Sequence, residues 1–137
     1  MRLVDFFIVG AMRSGTSTLT QSLRMHPKIF MLRNEPKFFI QWDGSDLASL
    51  DDYHSMFNWD PCFEIRGEKS APYGPSRRAR DGILGYNQNA KIIWLFRDPV
   101  KRAVSHFYRA LDGAGEKSVS LERAIVKKDA LEKANSM

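Results

Sequence analysis

With 137 residues, 43% of them hydrophobic and 27% charged, the chain has the size of one domain and a globular balance, which excludes a disordered or fibrous protein. No apolar run nears the roughly 18 residues that would span a bilayer, and the single cysteine, Cys62, excludes an internal disulfide. The net charge of +5 suits nucleic acid, an anionic polymer or a small polyanion without choosing among them, and a solvated basic surface accounts for much of it.

Leu3–Met12 is apolar but short, is interrupted by Asp5 and lacks the layout of a signal peptide. Together with the lone cysteine this fits a reducing compartment, so a cytoplasmic location and no membrane partner are expected. Within that stretch Phe6–Val9 reads as a strand buried on both faces. Gly10–Gly15 is a small-residue turn, and Thr16–Met25 is helical, with Leu19 and Leu23 on one face and a stop near Pro27. Ile29–Leu32 is a second strand, followed by a loop over Arg33–Lys37.

Ser45 can cap a helix over about 46–57, and Phe63–Glu68 is a strand candidate. Pro75 suits the first turn of a helix carrying Arg77, Arg78 and Arg80, although Gly82 and Gly85 weaken it. Lys91–Phe96 is the clearest strand. Pro99 then opens the clearest helix, with Val100, Ala103, Val104, Phe107, Tyr108 and Leu111 forming one apolar stripe. Gly113 and Gly115 should end it, and Ser120 should cap a last helix through about Ala134. Strands alternating with helices imply crossover connections, hence an α/β fold with a central parallel sheet flanked by helices. A single domain over 1–137 is expected. Ligands of such sheets sit where strands end, which draws attention to Gly10–Gly15 and to Arg97-Asp98-Pro99.

Gly10-Ala11-Met12-Arg13-Ser14-Gly15-Thr16-Ser17 follows a strand and opens a helix, the setting a phosphate loop needs. Curled backbone N–H groups and the helix N-terminus favour an anion there. The spacing fits G-x-x-x-x-G, but a nucleotide triphosphatase needs Lys next, and position 16 is Thr. The cation sits instead at Arg13. A tight turn with an exposed arginine is the plainer alternative. After the Lys91–Phe96 strand, Arg102, Ser105 and Arg109 share a helix face opposite the apolar stripe, and an arginine with a hydroxyl suits a phosphate dianion. His26, His54 and His106 show no metal-ligand spacing with one another or with Cys62, so no metal is expected.

Arg13-Ser14-Gly15-Thr16-Ser17-Thr18-Leu19 resembles the 5′-phosphosulfate loop of the sulfotransferases that use 3′-phosphoadenosine-5′-phosphosulfate (PAPS). Arg97-Asp98-Pro99-Val-Lys-Arg102-Ala-Val-Ser105-His-Phe-Tyr108 is similar to that family's 3′-phosphate motif. The resemblance implies a phosphate-loop fold of the sulfotransferase type, closest to the glycan-modifying branch. It implies PAPS as donor and the bisphosphate PAP as product. Arg13, Ser14, Gly15, Thr16, Ser17 and Thr18 would hold the phosphosulfate, and Arg97 with Ser105 the 3′-phosphate.

Asn34-Glu35-Pro36-Lys37-Phe38-Phe39 resembles the family loop that carries a catalytic acid before paired aromatics, which makes Glu35 the expected general base. Lys37 stands where several relatives have His. Glu68-Lys69-Ser70-Ala71-Pro72-Tyr73 is similar to the family's E-K-[ST]-P-A-Y segment with Pro and Ala exchanged. The resemblance implies that Lys69 would reach the donor or the developing charge. A surface turn for Glu35 and a surface lysine for Lys69 are the plainer readings of the bare residues.

The resemblance covers about Phe6 to Leu111, and family members are usually longer. The chain is then expected to be a fragment, a compact relative, or one completed by a partner, with a homodimer as one outcome. The expected reaction is sulfuryl transfer from PAPS to a hydroxyl or amine of a small-molecule or glycan acceptor. Arg77, Arg78 and Arg80 could serve an anionic acceptor, and Trp42 could line its pocket. Two rivals remain open: a PAPS-, PAP- or polyanion-binding module without catalysis, and a phosphate-loop kinase or triphosphatase. A nucleic-acid partner is not expected, because the basic residues are not interleaved with an aromatic platform.

Overall fold

The computed structural model describes residues 2–42, 44, 47–114 and 120. The chain divides into two units, Met1–Arg97 and Asp98–Met137. In the first, strands β1 (Phe6–Gly10), β2 (Ile29–Met31), β3 (Ile65–Lys69) and β4 (Lys91–Trp94) form one sheet in the order β2-β3-β1-β4. Every neighbouring pair is parallel.

β1 lies between two strands and is buried along its whole length, which is why it reads as unbroken apolar sequence. Successive side chains go to opposite faces. Phe6 and Ile8 join Met31, Leu19 and Leu23, placing helix α1 (Thr16–Arg24) over one face. Phe7 and Val9 join Phe39, Leu50, Tyr53, Tyr73 and Ile83 on the other, where α2 (Phe38–Gln41), α3 (Leu47–Ser55) and α4 (Arg77–Tyr86) pack. Gly67 on β3 is required by this packing, because a Cβ there would lie 2.2 Å from the Phe6 ring.

Several boundaries differ from the sequence expectation. β3 runs Ile65–Lys69, two residues later at its start than expected, because Glu64 and Ile65 donate their N–H groups to Lys28 before the ladder begins. β4 stops at Trp94, although Leu95 still exchanges backbone bonds with Gly10 and Ala11. The four-residue α2 and a 3-10 turn at Ala71–Tyr73 are too short to give a periodic signal. The expected helix over 46–57 is α3, Leu47–Ser55, and its proposed cap Ser45 lies outside the described residues. α4 is capped by Ser76, whose hydroxyl accepts from Ala79 N at 3.1 Å, one residue beyond Pro75. Gly82 does not break α4. Its bare Cα faces Phe39, whose ring edge would lie 3.2 Å from a Cβ.

In the second unit, α5 (Pro99–Ala114) starts as the sequence predicts. Asp98 caps it, with Lys101 N donating to Oδ1 at 2.8 Å and Pro99 in the first turn. The helix passes Gly113. The helix expected from Ser120 to about Ala134 lies, beyond Ser120 itself, outside the described residues. Among the described residues no helix is long and apolar enough to cross a membrane.

Candidate active site

Because the four strands are parallel, their carboxyl ends share one edge of the sheet. The phosphate loop leaves β1, the Glu35 loop follows β2, Lys69 ends β3, and Arg97 follows β4. Four chemistry-bearing segments, scattered over some ninety residues, thus leave from one edge.

The phosphate loop has the curled backbone its sequence requires. Arg13 and Gly15 both adopt left-handed conformations, at φ 67° and 91°. Ser14 N turns back to Ala11 O, and the first helical bond runs from Leu19 N to Gly15 O. The N–H groups of Thr16, Ser17 and Thr18 therefore precede the helix's own ladder and face outward from its first turn. Ser14 Oγ is buried and has no hydrogen-bond partner among the described residues. Among the described residues, nothing beyond its chain neighbours lies within 4 Å of a Cβ placed on Gly15. Thr16 is buried where a triphosphatase would present its lysine.

Lys69 brings together two other expected residues, Glu35 and Ser17. Its Nζ lies 2.6 Å from Glu35 Oε1 and donates to Ser17 Oγ at 3.3 Å. The pair is partly shielded, with 15% of the lysine side chain and 29% of the glutamate exposed. β3 lies beside β1 and Lys69 is in register with Ile8, so its side chain starts next to the strand that feeds the loop. On the other side of β1, Arg97 Nη1 donates to Arg13 O at 3.1 Å and braces the loop through its backbone.

Beneath this group lies a buried acid that the sequence reading quoted without a role. Glu68 is fully buried, and Tyr53 donates to its Oε2. Burial pushes the carboxyl above its ordinary range, and nearby Glu35 pushes the same way. The hydroxyls of Tyr53, Tyr73 and Ser70 act against that shift. Oε1 has no well-formed hydrogen bond among the described residues, although Ser70 and Tyr73 stand close by. Burial likewise raises the phenols of Tyr53 and Tyr73. Ser70 Oγ and Tyr73 OH in turn accept the backbone N–H groups of Lys37 and Phe39, at 3.1 and 3.2 Å. Lys37 itself is left-handed, at φ 54°. Tyr53 sits on α3, and no local pattern signals that it reaches β3.

Ser105 is half-buried on α5, in the second unit. Arg78 donates to the carbonyls of Gln41 and Trp42, at 2.6 and 3.4 Å, capping the C-terminus of α2, and Arg80 pairs with Asp81. Trp42 stacks on Phe38, with ring centroids 5.4 Å apart. An open groove of about 660 Å³ runs along β2 to Asn34 and Pro36, on either side of Glu35, with Arg24, Arg33 and Phe63 in its walls. Among the described residues no three His, Cys, Asp or Glu side chains gather as a metal site.

Comparison with known proteins agrees with this architecture. The solved structure described as a sulfotransferase from Alicyclobacillus acidocaldarius superposes with a TM-score of 0.78 at 24% identity, over 98% of this chain and 60% of that one, and so shares the fold. Heparan sulfate glucosamine 3-O-sulfotransferase 6 of Homo sapiens is 33% identical over 110 residues, which are 80% of this chain and 31% of the relative. Heparan sulfate glucosamine 3-O-sulfotransferase 3B1 of Mus musculus is 32% identical over 110 residues, 80% of this chain and 27% of the relative. The chain thus spans about a third or less of the length of these relatives. The sulfotransferase domain profile matches residues 3–132, past Leu111 where the recognisable motifs end, and the chain belongs to the sulfotransferase domain family.

Proposed function

We propose that this chain forms the donor-binding and proton-abstracting part of a sulfotransferase that moves a sulfuryl group from PAPS to a hydroxyl, or an amine, of a carbohydrate acceptor. The observation that carries the reading is the position of Lys69, which ties Glu35 to Ser17 of the phosphate loop. The names of the relatives favour a glycan as acceptor.

The loop fits an anionic donor. Its backbone curls through left-handed Arg13 and Gly15, and the buried Ser14 hydroxyl has no hydrogen-bond partner among the described residues. PAPS supplies the sulfuryl group on an activated phosphosulfate and leaves as PAP. In this reading Arg13, Ser14 and the N–H and hydroxyl groups of Gly15–Thr18 hold the 5′ end. Arg97 contributes to holding the 3′-phosphate and also fixes the loop through Arg13 O. Glu35 takes the proton of the acceptor, which approaches along the groove beside Asn34 and Pro36. Lys69 places its ammonium where negative charge grows on the leaving phosphate. The logic is that of phosphoryl transfer, in which positioning and electrostatics dominate.

The test is transfer of radiolabelled sulfate from PAPS to desulfated heparan oligosaccharides. Transfer by the unaltered chain, reduced about 10²- to 10⁴-fold in Glu35→Gln, is expected for loss of a general base. No transfer, or equal transfer by both, overturns the reading.

A further inference from the structure

We infer that Ser70 and Tyr73 are positioning residues for the Glu35 loop: their buried hydroxyls hold the loop's backbone at Lys37 and Phe39 and so set the expected base against Lys69. The inference deepens the proposed function and rests on Glu35 being its base.

Two segments run side by side at the site, in step. Glu35 pairs with Lys69 through its side chain. Two residues on, Lys37 N donates to Ser70 Oγ at 3.1 Å, and two further on Phe39 N donates to Tyr73 OH at 3.2 Å. Ser70 and Tyr73 are both buried. The loop has little else to fix its backbone there. Phe39 N belongs to the first turn of α2, where N–H groups have no partner within the helix and the N-cap side chain ordinarily accepts one. The N-cap, Lys37, makes no such bond and is left-handed at φ 54°. A residue other than glycine persists in that conformation only where its surroundings enforce it. The Phe39 ring anchors α2 in the core, yet apolar contact is non-directional, whereas two hydrogen bonds fix register. The holding segment is itself fastened to β1, with Ser70 N on Ile8 O at 3.1 Å and Gly74 N on Val9 O at 2.8 Å. β1 feeds the phosphate loop, so the expected base and the donor loop are referred to one strand.

The experiment is amide hydrogen exchange by NMR on the ligand-free full chain, followed by transfer kinetics. Ser70→Ala is expected to raise exchange at the Lys37 amide and Tyr73→Phe at the Phe39 amide, each by about tenfold for the loss of one hydrogen bond. The Phe7 and Ile8 amides of β1 report global stability, and the loop amides must change beyond them. The two variants probe different bonds, so if one fails to fold the other decides. In transfer, each should lower kcat by about tenfold or more through misplacement of the base, with PAP affinity within about twofold of wild type. In a Glu35→Gln background the same substitutions should change kcat by less than about twofold, because they act through that carboxylate. A merely structural role predicts equal losses in both backgrounds. Unchanged loop amides, changes that only follow β1, or equal losses in both backgrounds would overturn the proposal. The exchange readout needs no PAPS. A chain that transfers no sulfate therefore removes the proposed function, and the exchange result alone decides whether the hydroxyls hold the loop.

Discussion

Replacing Lys69 by Met keeps the aliphatic stem and removes the ammonium. The lost contacts are the 2.6 Å pair with Glu35 and the 3.3 Å bond to Ser17. Because both partners retain access to solvent, the ion pair itself contributes little to folding, about 0–1 kcal/mol. A change in melting temperature of no more than a few degrees is expected for a chain of this size. The consequence for chemistry is larger. A donor aimed at developing charge in a shielded site is worth about 10² to 10³ in rate. PAP presents no transferring group, so its affinity should fall by about tenfold at most. The assay is sulfate transfer alongside calorimetric titration with PAP and thermal unfolding. A Lys69→Met protein that turns over within twofold of wild type would refute the assignment of Lys69 to the transition state. A collapse of stability instead would show the pair to be structural.

Three further outcomes are expected. Gly67→Ala forces a Cβ to within 2.2 Å of the Phe6 ring, so overpacking should cost about 1–3 kcal/mol or more, read as a lower denaturant midpoint at unchanged slope. Alkaline pH should destabilise the fold. Burial raises Tyr86 from 10.0 to about 12, and the folded chain therefore keeps a phenol proton that the unfolded chain loses, so stability falls as pH rises from about 10 to about 12. Tyr53 and Tyr73 act in the same direction, and denaturant melts at pH 9 and 11 giving equal stability would count against all three. Burial also lowers the pKa of His54, which folds neutral, so its contribution is full above pH 6.5 and is lost as pH falls below it, an effect that His54→Gln should remove from acid melts.

The parts of the fold that were legible in sequence are those governed by local pattern. β1 is an unbroken apolar run because helices cover both faces of the sheet there, and α5 keeps its stripe over three turns. The phosphate loop was legible because a strand, a turn bounded by Gly10 and Gly15, and a helix follow one another in the sequence. The order β2-β3-β1-β4 was not, since pairing joins segments up to some eighty-five residues apart. β4 shows the limit well. Its apolar sequence reads as buried, yet it lies at a sheet edge with Ile92 53% and Trp94 44% exposed. Apolarity records what a strand could bury and not how many neighbours it has.

The candidate site divides the same way. Glu35, Lys69 and Ser17 were each named from motifs, and their meeting around one ammonium follows from parallel strands and not from spacing. Glu68 and Tyr53 were passed over because a buried acid and a distant phenol leave no local trace. The bracing of Arg13 O by Arg97 was also invisible, because a backbone carbonyl carries no residue signature.

The central claim is that this chain holds a nucleotide with two separated phosphates. It is tested most directly by calorimetric titration with PAP, in parallel with Mg-ATP and with the Arg97→Ala protein. The account predicts PAP binding without magnesium on the order of micromolar, about −8 kcal/mol, much weaker binding of Mg-ATP, and at least a tenfold loss in Arg97→Ala. Absence of PAP binding, or magnesium-dependent preference for ATP, would contradict it.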